Sequence, residues 1–362
     1  MTVRFNALVP GDDRAAVDAA IARVIASGWF VLGPEVERFE QEFAAACQSP
    51  HAVGVGTGTD AIALILRALD LGPGDEVITS PLSAAYSALA IMMAGARPVF
   101  ADIDPLRLTL DPGAAAAAVT PRTRAIMPVH LYGQAADMPA LAAVASRHGL
   151  ALIEDSCQAH LATAAGQPIG TIGVASAYSF YPTKNLGALR DGGAVATADA
   201  ALAARIKRLR NGGQTSRYRH EEAGANSRLD ELQAAILRAR LPYLRRWTDR
   251  RRAMAARYRG AIANPAVTVP PEVDAGHVYH LFPVLCAARD ALQSFLKAQG
   301  VETLIHYPVP IPQQPALDTA EPADCPITNR VCAEILSLPL YPSLPDAQAD
   351  LVGAAVSSFR LV

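Results

Sequence analysis

From residue 51 onward the chain alternates short apolar runs with helical segments, and this alternation narrows the possible folds more than any other feature. The runs are HAVGVG, DEVITS, RPVFADI, RAIMPVH, LALIEDS, ASAYSF and GAVATA. Each is brief, rich in β-branched residues and bounded by Gly, Pro or Asp, as strands are. Between them, apolar residues recur at helical spacing in Asp60 to Leu69, Ala84 to Ala94 and Met138 to His148. The pattern predicts an α/β fold with an open, mostly parallel sheet covered by helices on both faces. Sheets of this kind take ligands in the crevice beyond the carboxyl ends of their strands. The residues that directly follow the strands are therefore the ones to examine for chemistry.

The flanking regions read differently. Helical spacing over Asp12 to Ile25 and Glu35 to Cys47 predicts two helices joined by the turn-rich Trp29-Phe30-Val31-Leu32-Gly33-Pro34. The Ala114–Ala118 tract reads as helix. After residue 200 a long helical region runs to about Ala263 and breaks at Asn264-Pro265. Strands in HVYHLFPVL and VETLIHY, around a helix from Ala288 to Gln299, predict a smaller α+β domain. A chain of 362 residues suits two domains closing on a cleft. We place a large α/β domain with an N-terminal helical segment at 1–240, and the small C-terminal domain, entered through a long helix, at 241–362. With 51% hydrophobic but only 6% aromatic residues, Ala, Leu and Val must build both interiors.

Several function classes are disfavoured. A net charge of −2 gives no concentrated basic face for nucleic acid. The runs Lys207-Arg208-Leu209-Arg210, Arg245-Arg246 and Arg250-Arg251-Arg252 read as solvated helix faces. Cys47, Cys157, Cys286, Cys325 and Cys332 form no C-x-x-C pair and have no His cluster nearby, so we expect reduced thiols, no metal site and a cytoplasmic protein. No apolar run approaches the ~20 residues of a membrane span, and the N-terminus lacks a signal pattern.

Three features could carry chemistry. Thr57-Gly58-Thr59-Asp60 follows a strand and opens a helix, where free backbone N–H groups can cradle a phosphate. Such turns also carry Gly and Thr for purely local reasons. Glu154-Asp155 ends the run LALIED, and an acid there either marks the strand's exit or pairs with a protonated ring nitrogen. Lys184 lies in Ser179-Phe180-Tyr181-Pro182-Thr183-Lys184-Asn185-Leu186-Gly187. A lysine there is either solvated or, in a closed site, a nucleophile able to form a Schiff base. Asp155 and Lys184 are 184 − 155 = 29 residues apart, about one strand-helix-strand excursion, which returns both to the same rim. Farther on, Ser227 and Asp230 are spaced as a capping box for the helix that follows, with Asn226 left at the tip of the loop.

Together these motifs resemble the DegT/StrS-type nucleotide-sugar aminotransferases, a branch of the fold-type-I pyridoxal-phosphate enzymes. The likeness runs from SGWFVLGPEVERFE through GTGTDAIALILRAL, PVFADID, PVHLYGQAADM, LIEDSCQAH, SFYPTKNLGALRDGGA and NSRLDELQAAIL to HYP and LSLPLYP. It implies a seven-stranded large domain and pyridoxal 5′-phosphate as cofactor. By the same resemblance Lys184 is the Schiff-base lysine, Asp155 the partner of the pyridine nitrogen and Gln158 the contact to the ring hydroxyl. Gly58, Thr59 and Ser179 match phosphate contacts. Asn226 matches a residue reaching the phosphate from the neighbouring subunit, which implies a homodimer with shared active sites. Related deoxysugar dehydratases carry histidine where Lys184 stands, so transamination is expected here. Two departures stand out: Ala84 occupies the place of an aromatic residue on the ring face, with Tyr86 two positions on, and Pro312 stands where relatives often carry histidine.

The expected reaction is transamination of a sugar nucleotide, with glutamate as donor and 2-oxoglutarate as its product. Tyr181, Arg228, His306 and Tyr307 are candidate substrate contacts, each with an ordinary structural alternative. NSRLDELQ, with the H-x-Y-H and HYP segments, looks most like members that aminate C3 of dTDP-3-keto-6-deoxyhexoses; members acting on 4-keto sugars more often show N-Y-R. The rival readings are a 4-keto sugar nucleotide, a cyclitol ketone, and a non-catalytic regulator. Such regulators carry a DNA-binding module ahead of the aminotransferase-like part, whereas here the resemblance begins within the first thirty residues.

Overall fold

The seven apolar runs all become strands of one sheet. The computed structural model describes residues 2–8, 11–317 and 324–360. The chain enters through helices α1 (Arg14–Ser27) and α2 (Pro34–Cys47) and then alternates: β1 (His51–Val55), α3 (Gly58–Ala68), β2 (Glu76–Thr79), α4 (Tyr86–Met93), β3 (Arg97–Phe100), α5 (Pro112–Ala117), β4 (Thr123–Met127), α6 (Met138–His148) and β5 (Ala151–Asp155). A small hairpin, β6 (Thr163–Ala164) and β7 (Gln167–Pro168), precedes β8 (Ala175–Ser179), β9 (Gly193–Thr197) and α7 (Ala200–Leu209). The sheet order is β1-β9-β8-β5-β4-β2-β3. All neighbours are parallel except β9, which runs antiparallel to both β1 and β8.

Side chains alternate between the two faces, as a period of two requires. Met127, Ile153 and Val195 point to one face, where they pack with Ile62, Ile65 and Leu66 of α3. Ile126 and Leu152 meet Leu141 and Val144 of α6 on the other, and Ala194 and Ala196 meet Phe39 and Phe43 of α2. Each fully buried Leu or Ile contributes roughly 1.5–3 kcal/mol. The ends of α6 are legible in the sequence: Asp137 caps its N-terminus by accepting from Ala140 N at 3.2 Å, and Gly149 turns left-handed beyond its end.

The region after residue 200 is broken, not continuously helical. A hairpin of β10 (Gln214–Ser216) and β11 (Arg219–His220) separates α7 from α8 (Glu231–Arg240) and α9 (Leu244–Ala261). The α8 cap is also displaced from its expected place. Asp230, not Ser227, caps the helix by accepting from Gln233 N at 2.8 Å. Ser227 is thereby free to accept from Gly56 N at 2.9 Å and to donate to Asp60 at 2.8 Å. The next residue along, Glu231, caps a different helix: its carboxylate accepts from the amides of Gly33, Glu35 and Val36 at the start of α2.

Beyond α9 lies a second core, with β12 (Phe282–Leu285) antiparallel to β13 (Ile335–Leu338). Around the pair pack α9, α10 (Arg289–Ala298) and α12 (Asp346–Ser358), with α11 (Pro326–Glu334) leading into β13. VETLIHY is not a strand. Its residues make single bridges to two different partners, Val301 to Val3 and Leu304 to Ser337, so no ladder develops. The arginine runs are not wholly solvated either. Arg210 is buried against Glu40 and Gly54 O, and Arg251 is buried with its guanidinium donating to the carbonyls of Tyr279, His280 and Leu340.

Candidate active site

Lys184 sits in a loop that doubles back on itself after β8. Lys184 N bonds to Tyr181 O at 2.8 Å and Ala188 N returns to Phe180 O at 2.7 Å. Gly187 is needed for this turn, because a Cβ there would lie 2.6 Å from Pro182 O. Two clamps hold the loop. Arg240, ion-paired with buried Asp13 at 2.8 Å, donates to Gly187 O at 2.5 Å. Asn185 donates to Val278 O at 3.0 Å and faces His280 Nδ1 at 3.2 Å.

Lost hydration pushes the Lys184 ammonium below the ordinary lysine range, while Cys157 and Asp155 oppose that shift. A lysine in this setting releases its proton more readily than a solvated one, as a nucleophile must. Three histidines are held neutral around it. Burial, aided by the Lys184 charge, lowers His160 to about 3 and His306 to about 4, and carries His280 well below its usual value.

Asp155 ends β5, and its carboxylate is buried. Ser87 Oγ donates to Oδ2 at 2.6 Å and Cys157 N to Oδ1 at 3.1 Å, which fixes the group's orientation. Three residues on, Gln158 accepts from Tyr132 N at 2.8 Å and donates to the Tyr307 hydroxyl at 3.0 Å.

The phosphate-cradle candidates converge at the start of α3. Thr57 caps that helix by accepting from Asp60 N at 2.9 Å. A Cβ on Gly58 would lie 2.8 Å from both Cys157 Sγ and Ser179 Cβ. Gly58 therefore brings the helix N-terminus, with Thr59 in its first turn, directly onto the end of β8 and the turn after β5. A positive helix end, a buried acid and a desolvated lysine fit a ligand that is anionic at one end, carries a protonated ring nitrogen and holds a carbonyl carbon.

The structure thus gathers Lys184, Asp155, Gln158, Gly58, Thr59, Ser179, His306 and Tyr307 on one rim. Others stand apart. Asn226 is exposed and pairs through its backbone with Asn211. Arg228 donates to Asn211 Oδ1 at 2.9 Å, and Tyr181 is 51% exposed. Ala84 precedes α4, so it and Tyr86 are not two faces of one helix, and Tyr86 is exposed. Pro312 is buried in a short turn of helix. A cavity of about 550 Å³ reaches Lys184 beside Arg240, Arg246 and Trp247, but neither Asp155 nor any of the four substrate candidates lines it.

Sequence reasoning missed Ser87, Tyr132 and His280. Ser87 is the one with a visible signal, since it lies in the same SAAYS segment in which an aromatic residue was sought.

This arrangement defines a fold-type-I pyridoxal-phosphate enzyme, and comparison with known proteins makes the class specific. Residues 12–357 match the DegT/DnrJ/EryC1/StrS aminotransferase family. The dTDP-3-amino-3,4,6-trideoxy-alpha-D-glucose transaminase of Streptomyces venezuelae is 49% identical over 347 residues, covering 95% of this chain and 92% of that protein. The erythromycin biosynthesis sensory transduction protein EryC1 of Saccharopolyspora erythraea is 47% identical, with 95% of each chain covered. A crystal structure of S. venezuelae DesV in complex with a ketimine intermediate superposes with a TM-score of 0.95, at 48% identity and 98% coverage of both chains. The chain belongs to the DegT/DnrJ/EryC1/StrS aminotransferase family. It is an aminotransferase, and pyridoxal phosphate is the cofactor of its family. Among the described residues, no cluster could hold a metal ion and no helix is long and apolar enough to cross a membrane.

Proposed function

We propose that this enzyme transfers an amino group from glutamate to a nucleotide-linked keto-deoxysugar, with dTDP-3-keto-6-deoxyhexose as the substrate and the 3-amino sugar as product. The observation that carries the reading is a desolvated lysine on the same rim as a buried, doubly hydrogen-bonded aspartate. The names of the Streptomyces relative and the NSRLDELQ segment support the C3 position.

Pyridoxal phosphate supplies an aldehyde carbon that bonds amine nitrogen and a ring that accepts electrons from the carbon being deprotonated. Gly58 and Thr59 amides with the Ser179 hydroxyl would hold its phosphate, and Asp155 would pair with its ring nitrogen. Lys184 Nζ would hold the aldehyde carbon and, once displaced by the donor amine, take the proton from the donor's α-carbon. Ser87 Oγ and Cys157 N keep the Asp155 carboxylate aimed. His306, Tyr307, Tyr181 and Arg228 are the candidate contacts to the sugar nucleotide. Asn226, exposed in one chain, would complete the phosphate site of a partner chain, giving a homodimer with shared sites. We place the large cofactor-binding domain at residues 1–240 and the small one at 241–362, and the protein in the cytoplasm.

The test is an absorbance spectrum of the pyridoxal-phosphate-loaded protein with and without glutamate, beside Lys184→Ala. A visible band that glutamate bleaches, absent in the variant, is expected. No band would remove the lysine assignment; a band that glutamate leaves untouched would favour a regulator or another donor. Panels of 3-keto and 4-keto sugar nucleotides and cyclitol ketones then separate the substrates, and light scattering reads the dimer.

A further inference from the structure

Three of the four arginines that line the cavity beside Lys184 have an acid of their own. Arg240 pairs with Asp13 at 2.8 Å, Arg246 with Asp12, and Arg250 with Asp346. Arg251 is the exception. It is 5% exposed, and no carboxylate pairs with it among the described residues. All three of its hydrogen bonds leave from Nη1, to the carbonyls of Tyr279, His280 and Leu340 at 3.2, 3.3 and 2.8 Å. Nε is buried and has no partner among the described residues. The Nε–Nη2 edge, an edge with which a guanidinium grips a carboxylate in two parallel bonds, is therefore unused. Burial with no counterion beside it carries the group down to about 10, and a charge left in that state is costly.

The place of Arg251 relative to Lys184 limits what could meet that edge. Asn185, next to the lysine, faces His280 Nδ1 at 3.2 Å, and His280 O in turn accepts from Arg251. One histidine thus stands between the two cations, and both border the same cavity of about 550 Å³. Lys184 and the four arginines face only Asp12 and Asp13 across it, so it favours an anion. Leu8, Trp247 and Pro342 add apolar wall. A ligand with an amine at Lys184 and an anionic group a few methylenes away fits this arrangement.

We infer that Arg251 seats the side-chain carboxylate of the amino donor and so selects an acidic amino acid over its neutral analogues. This rests on the aminotransferase reading above. The donor's amine must reach the carbon that Lys184 would hold, so its far end lies in the space bordering that lysine. The α-carboxylate, common to every amino acid, selects nothing. A distal carboxylate receives charge-assisted hydrogen bonds from the free edge, whereas a distal amide leaves the guanidinium without a counterion.

The readout is bleaching of the visible band in the cofactor-loaded protein, by glutamate and by glutamine, as a function of donor concentration. Wild type should prefer glutamate. Arg251→Lys, which keeps the charge but loses the fork, should cut that preference roughly tenfold or more, chiefly by raising the glutamate concentration for half-bleaching. Arg245→Lys, in an exposed arginine outside the cavity, should leave it unchanged. Because Arg251 also holds three carbonyls, a second measurement leaves it unaltered. Trp29→Phe makes Trp247 the one remaining tryptophan, and Trp247 lines the cavity. Glutarate, which has both carboxylates and no amine, should change its emission at the concentrations that block bleaching by glutamate. If Arg251→Lys is poorly folded, this titration decides alone. An unchanged preference in well-folded Arg251→Lys, or a Trp247 response to inorganic phosphate or dTDP but not to glutarate, overturns the inference and leaves the aminotransferase reading intact. A wild-type band that glutamate does not bleach overturns the choice of donor, and the inference with it.

Discussion

Replacing Glu154 by glutamine should destabilise the protein severely, and the cost follows from a count of donors. Glu154 is fully buried beside Asp155, and each of its oxygens receives two hydrogen bonds. Oε1 accepts from Ile172 N at 3.1 Å and Gly173 N at 2.8 Å. Oε2 accepts from Gly170 N at 2.7 Å and from His130 Nε2 at 3.1 Å. The histidine's role is fixed, because its Nδ1 accepts from Ala136 N at 3.1 Å, so the proton lies on Nε2. Glutamine offers one oxygen and one NH₂, so either rotamer sets donors against two N–H groups. At roughly 1–3 kcal/mol for each unsatisfied buried group, the loss is about 2–6 kcal/mol. Urea unfolding of wild type and Glu154→Gln reads it directly. A variant within about 0.5 kcal/mol of wild type would refute the donor count. The pH dependence gives a second check. Burial alone would raise the Glu154 carboxyl, but the His130 hydrogen bond and the Gly170 and Gly173 amides outweigh it, and the group falls below its ordinary value of 4.5. A depressed folded value means that the stabilisation is complete above the unfolded value and is lost as pH falls through the folded one. The wild-type urea midpoint should therefore drop more steeply below about pH 4.5 than that of Glu154→Gln.

Three smaller changes probe the cradle and the frame. Ser87→Ala removes the hydroxyl that donates to Asp155 Oδ2 at 2.6 Å and should lower turnover about tenfold, measured as kcat at saturating cofactor. Gly58→Ala puts a Cβ 2.8 Å from Cys157 Sγ and Ser179 Cβ, an overpacking of about 1–3 kcal/mol, and should weaken pyridoxal-phosphate binding at least tenfold in a fluorescence titration. Gly260→Ala meets nothing within 4 Å in the last turn of α9 and should raise stability by about 0.5–1 kcal/mol in the same urea assay.

The sheet was legible in the sequence because most of its strands are buried on both faces, which writes them as short, nearly continuous apolar runs. The C-terminal core was less so. VETLIHY has the composition of a strand, yet Val301 and Leu304 bond to different neighbours, while ILSL, which does pair with Phe282–Leu285, follows directly from the end of a helix. Propensity records that a segment can extend; only the tertiary arrangement decides what lies beside it. The same limit applied at Ser227. Its spacing to Asp230 was that of a capping box, but Asp230 caps α8 just as well, and the nearby Gly56 amide and Asp60 carboxylate claimed the serine.

At the site, residues that act through their own chemistry could be read from the chain, and residues that act by holding others could not. A lysine, an aspartate and a glycine-threonine turn each announce a chemical capacity, and their order along the strand ends was enough to group them. Tyr132 announces nothing. It matters because a left-handed backbone turns its N–H to Gln158 while its hydroxyl reaches a carbonyl 174 residues away. Ser87, 68 residues from the carboxylate it serves, is marked only by the SAAYS segment it lies in, and that segment says nothing of the carboxylate. Their contribution is geometric, and geometry of that kind exists only once β4, β5 and the C-terminal segment have been brought together.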